Sequence, residues 1–125
     1  MKSNMLILAA LATGLAVSTP ASAAGDPEKG KQVFAQCAAC HKADTSGKSM
    51  IGPNLWGVFG RTSGTSPGFH YSPAMVAAKR TWTEAALDAY LAAPMTAVPG
   101  NRMPFAGVKD ATARRNLVAY LKTLK

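Results

Sequence analysis

The chain has 125 residues with 14 basic and 6 acidic side chains, a formal charge of +8. That length holds one domain at most, with a limited core. The basic residues are scattered rather than clustered, which argues against nucleic acid and favours steering toward an acidic partner surface.

The first element in chain order is a targeting segment. Met1-Lys2-Ser3-Asn4 precedes an apolar run from Met5 to Val17 and then Ser18-Thr19-Pro20-Ala21-Ser22-Ala23. A short positive start, an apolar centre and small residues before a cut are the parts of a secretory signal, with cleavage expected after Ala23 and Ala24 as the next site. The run is shorter than the about 20 apolar residues a spanning helix needs, so a retained anchor is the poorer reading and no stable membrane insertion is expected. Residues 1–23 are thus read as signal and 24–125 as one domain. Only Lys2 lies in the signal, which leaves 13 basic against 6 acidic residues, or +7.

Four helices are expected in the domain. Asp26 suits an N-cap and Pro27 the first helical position, with Gly30, Phe34 and Cys37 on neighbouring turns. A glycine inside a helix is costly, so Gly30 points to a close helix–helix approach. Residues 42–68 read as loop, punctuated by Gly47, Gly52, Pro53, Gly57, Gly60, Gly64, Pro67 and Gly68. Ser72 and Pro73 open a short helix to Ala78. A third is expected from about Trp82 to Ala93, with Thr81 and Glu84 as a capping box, Pro94 as the stop and Leu87, Tyr90 and Leu91 as its buried face. The last begins near Asp110 and runs to the chain end, with an apolar stripe at Leu117, Tyr120, Leu121 and Leu124 and with Lys122 and Lys125 at its negative end. No alternating run suggests a strand. The expected class is all-α with long loops.

Both cysteines and one of the two histidines fall in Cys37-Ala38-Ala39-Cys40-His41. C-x-x-C-H is an attachment site for c-type haem: each thiol adds to a haem vinyl group, and the histidine reaches the iron from the proximal side. A thioredoxin-like site would need a βαβ context, a zinc site four ligands, and a plain disulfide would leave the histidine unexplained. Haem is attached to such thiols outside the bacterial cytoplasm, which agrees with the signal and makes the periplasm the expected address. The iron's other side decides between an electron carrier and a reactive haem protein. Met50, Met75, Met95, Met103 and His70 are the candidates. Met103 lies in Gly100-Asn101-Arg102-Met103-Pro104-Phe105-Ala106-Gly107, an extended loop between two helices, where loop context leaves ligand and core filler equally open.

The order and spacing of Cys37–His41, Gly52-Pro53-Asn54-Leu55, Trp82, Tyr90 and Met103-Pro104-Phe105-Ala106-Gly107 resemble the class I cytochromes c, in particular bacterial cytochrome c2 and mitochondrial cytochrome c. The resemblance covers nearly all of residues 25–125, including Gly25-Asp26-Pro27-Glu28-Lys29-Gly30-Lys31. It implies a small cytochrome c fold around one haem c, with thioethers to Cys37 and Cys40 and with His41 and Met103 as iron ligands. It further implies that the Pro53 carbonyl accepts the His41 Nδ1–H. Arg61, Tyr71 and Trp82 match donors to a buried propionate, which needs them once out of water. Asn101 stands where the family often has a threonine near the other propionate, and Tyr90 matches a tyrosine beside the axial sulfur. Gly30, Phe34, Leu117 and Tyr120 match the contact of the first and last helices.

This chain also departs from the mitochondrial pattern. One residue is missing before Cys37, where those relatives carry a lysine; other lysines of their haem-edge ring correspond to Met50, Met95 and Asp110, and a pocket asparagine to Met75. Lys31, Lys48, Arg102 and Lys109 remain near that edge. The expectation is a monomeric, non-enzymatic, soluble periplasmic one-electron carrier. Its expected donor is a bc1-type complex or periplasmic dehydrogenase, and its acceptor a terminal oxidase or photosynthetic reaction centre. The alternatives are an acceptor subunit dedicated to one dehydrogenase, and an open-site haem peroxidase or sensor using His70.

Overall fold

The structure, a computed structural model, describes residues 14–16 and 24–125. The expected signal, residues 1–23, lies outside the described residues except for 14–16. The described residues form α1 (Pro27–Phe34), α2 (Pro73–Ala78), α3 (Glu84–Ala92), α4 (Pro94–Ala97) and α5 (Ala111–Lys122). They contain no strand, only an isolated antiparallel bridge between Thr62 and Thr81, and no helix long and apolar enough to cross a membrane.

The start of α1 follows its sequence signals. The Asp26 carboxylate accepts the N–H groups of Glu28 at 2.9 Å and Lys29 at 3.3 Å, satisfying donors that have no partner inside the helix. The Asp26 N–H in turn donates to Asn116 Oδ1 at 2.8 Å, which ties the α1 start to α5. A Cβ on Gly30 would overlap the Asn116 carbonyl and lie 2.8 Å from Tyr120 Cβ. The absent side chain is what lets the two helices meet. One turn on, the rings of Phe34 and Tyr120 pack with centroids 5.2 Å apart.

Three boundaries differ from expectation. The N-cap of α3 is Thr83, whose hydroxyl accepts the Ala86 N–H at 3.2 Å. Thr81 is unavailable because it pairs with Thr62, while Trp82 donates its N–H to the Arg61 carbonyl at 2.9 Å and accepts that of Gly60 at 2.9 Å. Pro94 ends α3 as expected but also opens α4, since proline suits a first helical turn. The last helix starts after its cap Asp110 and stops at Lys122. Beyond it Leu124 folds onto the core and takes the Gly57 N–H on its carbonyl. The α2 helix matches its expected span and cap. Lys79 closes it in the left-handed region at φ 45, where glycine is the usual residue.

Leu117, Leu121 and Leu124 are buried with Phe34, Leu87 and Leu91, and Tyr120 is half-buried beside them; Val118, outside the expected stripe, is also buried. Replacing Gly30→Ala should cost about 1–3 kcal/mol of unfolding free energy by overpacking this crossing. The measurement is a shift of the denaturant midpoint, and an unchanged midpoint would count against the close approach.

Candidate cofactor site

The chain leaves α1 in turns that carry the cysteine–histidine motif. Cys37 donates its N–H to Phe34 O at 2.8 Å, and the N–H groups of Cys40 and His41 both return to Cys37 O, at 3.1 and 3.0 Å. That closed turn sets both thiols and the imidazole on one short segment. The cysteines are free of any disulfide. Burial, and secondarily the neighbouring Cys40, push the Cys37 thiol up to about 11, so an unlinked Cys37 stays protonated near neutrality.

His41 is held from the next loop. Its Nδ1 lies 2.7 Å from Pro53 O. A carbonyl can only accept, so Nδ1 carries the proton and Nε2 keeps its lone pair. Burial holds the imidazole below its ordinary pKa, against the opposing pull of the Pro53 bond, and the neutral ring is the form that binds metal. A Cβ on the preceding residue, Gly52, would collide with this ring. The loop can cover His41 only because that side chain is absent.

His41 opens onto a cavity of about 590 Å³, within the ordinary size of cofactor sites. Every residue expected at the site lines it: Cys37, Cys40, His41, Pro53, Arg61, Tyr71, Trp82, Tyr90, Asn101 and Met103. Much of the wall is apolar, with Val58, Leu87, Leu91, Leu117 and Leu121 among its members and Met75 buried in it. Val58 was not foreseen, because nothing in a glycine-rich loop marks one valine as inward-facing.

The polar groups are few and mostly engaged. Arg61 donates through Nη1 to Trp56 O at 3.1 Å. The Tyr71 hydroxyl accepts the Ser66 N–H at 3.1 Å, which leaves its own hydrogen to donate. Trp82 packs on Tyr90 with ring centroids 5.0 Å apart, and the Tyr90 hydroxyl stands 4.0 Å from Met103 Sδ. His70 is exposed at the cavity mouth.

Asn101, on the cavity wall as expected, also braces a loop. Its Nδ2 donates to Pro94 O and Val98 O, both at 2.9 Å, and lies 3.3 Å from Met95 Sδ, while its Oδ1 accepts the Met103 N–H at 2.8 Å. Both amide hydrogens have protein acceptors, so Asn101 lines the cavity as the brace of the Met103 loop rather than as a free donor into it. An asparagine that bonds the backbone two residues on is a known turn former, and that signal was available in the sequence.

A family model for cytochrome c matches residues 27–125. The chain belongs to the cytochrome c family. It is 44% identical over 116 residues to cytochrome c2 of Rhodomicrobium vannielii, covering 93% of each chain. It is 49% identical over 100 residues to cytochrome c of Chlamydomonas reinhardtii, covering 79% of this chain and 89% of that one. Among solved structures, cytochrome cH from Methylobacterium extorquens superposes with a TM-score of 0.75 at 39% identity, over 79% of this chain and 99% of that one. As a class I c-type cytochrome the protein is an electron-transfer protein with covalently bound haem c. The cavity fits that group: a largely apolar chamber, two unpaired thiols on one turn, an imidazole with a free Nε2 and a thioether on its wall.

Burial raises the Tyr90 phenol to about 12. The unfolded chain then loses this proton near pH 10 and the folded chain only near 12, so stability should fall as pH rises through that window. Urea midpoints measured from pH 9 to 12 should decline less steeply in Tyr90→Phe than in the wild type; parallel curves would contradict the assignment.

Proposed function

We propose that the protein is a soluble one-electron carrier of the bacterial periplasm, its haem linked through Cys37 and Cys40 and its iron held by His41 and Met103. The observation that supports this reading is the convergence of His41 and Met103, from loops far apart in sequence, on the wall of one cavity. Haem c supplies a one-electron couple, and a thioether with burial favours its reduced form. The protein's part is to keep that centre unchanged between oxidation states. Pro53 fixes the imidazole through Nδ1, Asn101 fixes the Met103 backbone, and the apolar wall keeps water out. Arg61, Tyr71 and Trp82 are assigned to the propionates, where donors and a positive charge offset burial of a carboxylate. No bond chemistry on a substrate is assigned.

A visible spectrum tests the ligation. The ferric protein should show a far-red sulfur-to-iron band that Met103→Ala abolishes. Ready binding of carbon monoxide or azide by the native protein would favour the open-site alternative instead.

Residues 1–23 are assigned as a cleaved secretory signal. The donor is assigned to a bc1-type complex or periplasmic dehydrogenase, and the acceptor to a terminal oxidase or photosynthetic reaction centre, with the protein acting as a monomeric shuttle. Ile51, on the cavity lining, is 76% exposed, and Met50 beside it and Met95 are further exposed apolar side chains, at 46% and 52%, whereas the basic residues assigned to this edge are few: Lys31, Lys48, Arg102 and Lys109. Apolar contact is screened by salt far less than charge. Stopped-flow association with an acidic redox partner should therefore slow less with ionic strength than for mitochondrial cytochrome c. An equally steep slope would sink this account of the docking face.

A further inference from the structure

The segment that carries Met103, residues 98–110 between α4 and α5, contains no regular structure. Among the described residues, its one backbone bond between Asn101 and Val108 is internal, Phe105 N–H to Met103 O at 2.8 Å, until Val108 N–H reaches Leu91 O at 2.7 Å. Asn101 braces the side before Met103. On the side after it, the Lys109 ammonium donates to Ala106 O at 2.8 Å and to Ala92 O at 2.9 Å. Ala92 is the last residue of α3, where carbonyls lack helical partners and a positive charge is favoured. The same spot is approached by Gly107, at φ 109, where a Cβ would overlap Ala92 O and lie 2.8 Å from its carbonyl carbon. Arg114 secures the root of the segment, with Nη1 on Val108 O and Lys109 O at 3.1 Å each and Nε on Asp88 at 2.9 Å.

We propose that Lys109 is a positioning residue for Met103: its ammonium clasps Ala106 to the end of α3 and thereby holds the thioether-bearing loop against the cavity. The Arg114–Asp88 pair supports the clasp from α5 and α3. Opening the loop requires the Lys109 bonds to break, so Lys109 governs how often the sulfur leaves its position. The inference rests on Met103 being the iron's sulfur ligand.

The test is displacement of Met103 by imidazole in the ferric holoprotein, followed as loss of the far-red band at imidazole concentrations where the rate no longer rises. That limiting rate reports loop opening, and imidazole in its neutral form is not steered by the charge removed. Lys109→Met should raise it about threefold to tenfold, the range that one net hydrogen bond supports, with a smaller rise for Asp88→Asn. Lys122→Met, which removes a lysine engaged elsewhere with Glu84, should leave the rate unchanged. Denaturant midpoints measured in parallel separate local opening from global loss of stability. An unchanged rate in Lys109→Met, an equal rise in Lys122→Met, or a rise no larger than the global destabilisation predicts would each overturn the clasp. A wild-type protein lacking the far-red band would overturn the Met103 ligation together with the clasp, whereas a band with unaltered exchange overturns the clasp alone.

Discussion

The site depends on satisfying backbone polar groups in two stretches that form neither helix nor sheet. One stretch carries Pro53 and covers His41, and the other carries Met103. In each, a buried asparagine replaces the missing ladder. Asn54, 4% exposed, donates to Asp44 O and Lys48 O and accepts the Trp56 N–H at 2.9 Å. Asn101, 5% exposed, donates to Pro94 O and Val98 O and accepts the Met103 N–H at 2.8 Å. Each uses a side-chain amide as a peptide group would be used. Each amide thus ties its loop to the frame around the cavity and restrains a segment that has no ladder of its own.

The helices supply the frame on which those loops hang. Contact between α1 and α5 over Gly30 sets where α1 lies, and the turn from Cys37 to His41 continues from its end through bonds to Phe34 and Cys37 carbonyls. Phe34, Leu117 and Leu121 belong both to the core and to the cavity wall. Packing energy and cofactor environment are thus the same contacts. In a domain this small, few apolar residues are left to build a core separate from the site.

Local signals made much of this legible. The caps Asp26, Ser72 and Asp110 act within two or three residues, and the structure has them where their side chains suggest. The cap of α3 was misplaced because Thr81 is drawn away by Thr62, a partner distant in sequence. Asn101 illustrates the same limit from the other side. Resemblance located it beside the cavity, but its partners Pro94 and Val98 are a matter of loop geometry. The contacts of Lys109, Arg114 and Asp88 left no mark in the sequence, where Lys109 reads as a basic residue of the haem edge and the other two as ordinary surface charges.

By itself, then, the sequence determined the chemistry. Cys37, Cys40 and His41 sit close enough along the chain to act together whatever the rest of the fold does, and helical caps likewise need only neighbours. Tertiary structure brought together groups that no local pattern joins: the Pro53 carbonyl on Nδ1 of His41 and the Tyr90 hydroxyl 4.0 Å from Met103 Sδ, both legible only through the resemblance, and the ammonium of Lys109 on the end of α3, which the structure alone decided. Those contacts join residues on separate helices and loops, and short-range periodicity carries no information about them. The physical reason is that they depend on how closely α1 and α5 approach, and on where two irregular loops find acceptors for their N–H groups.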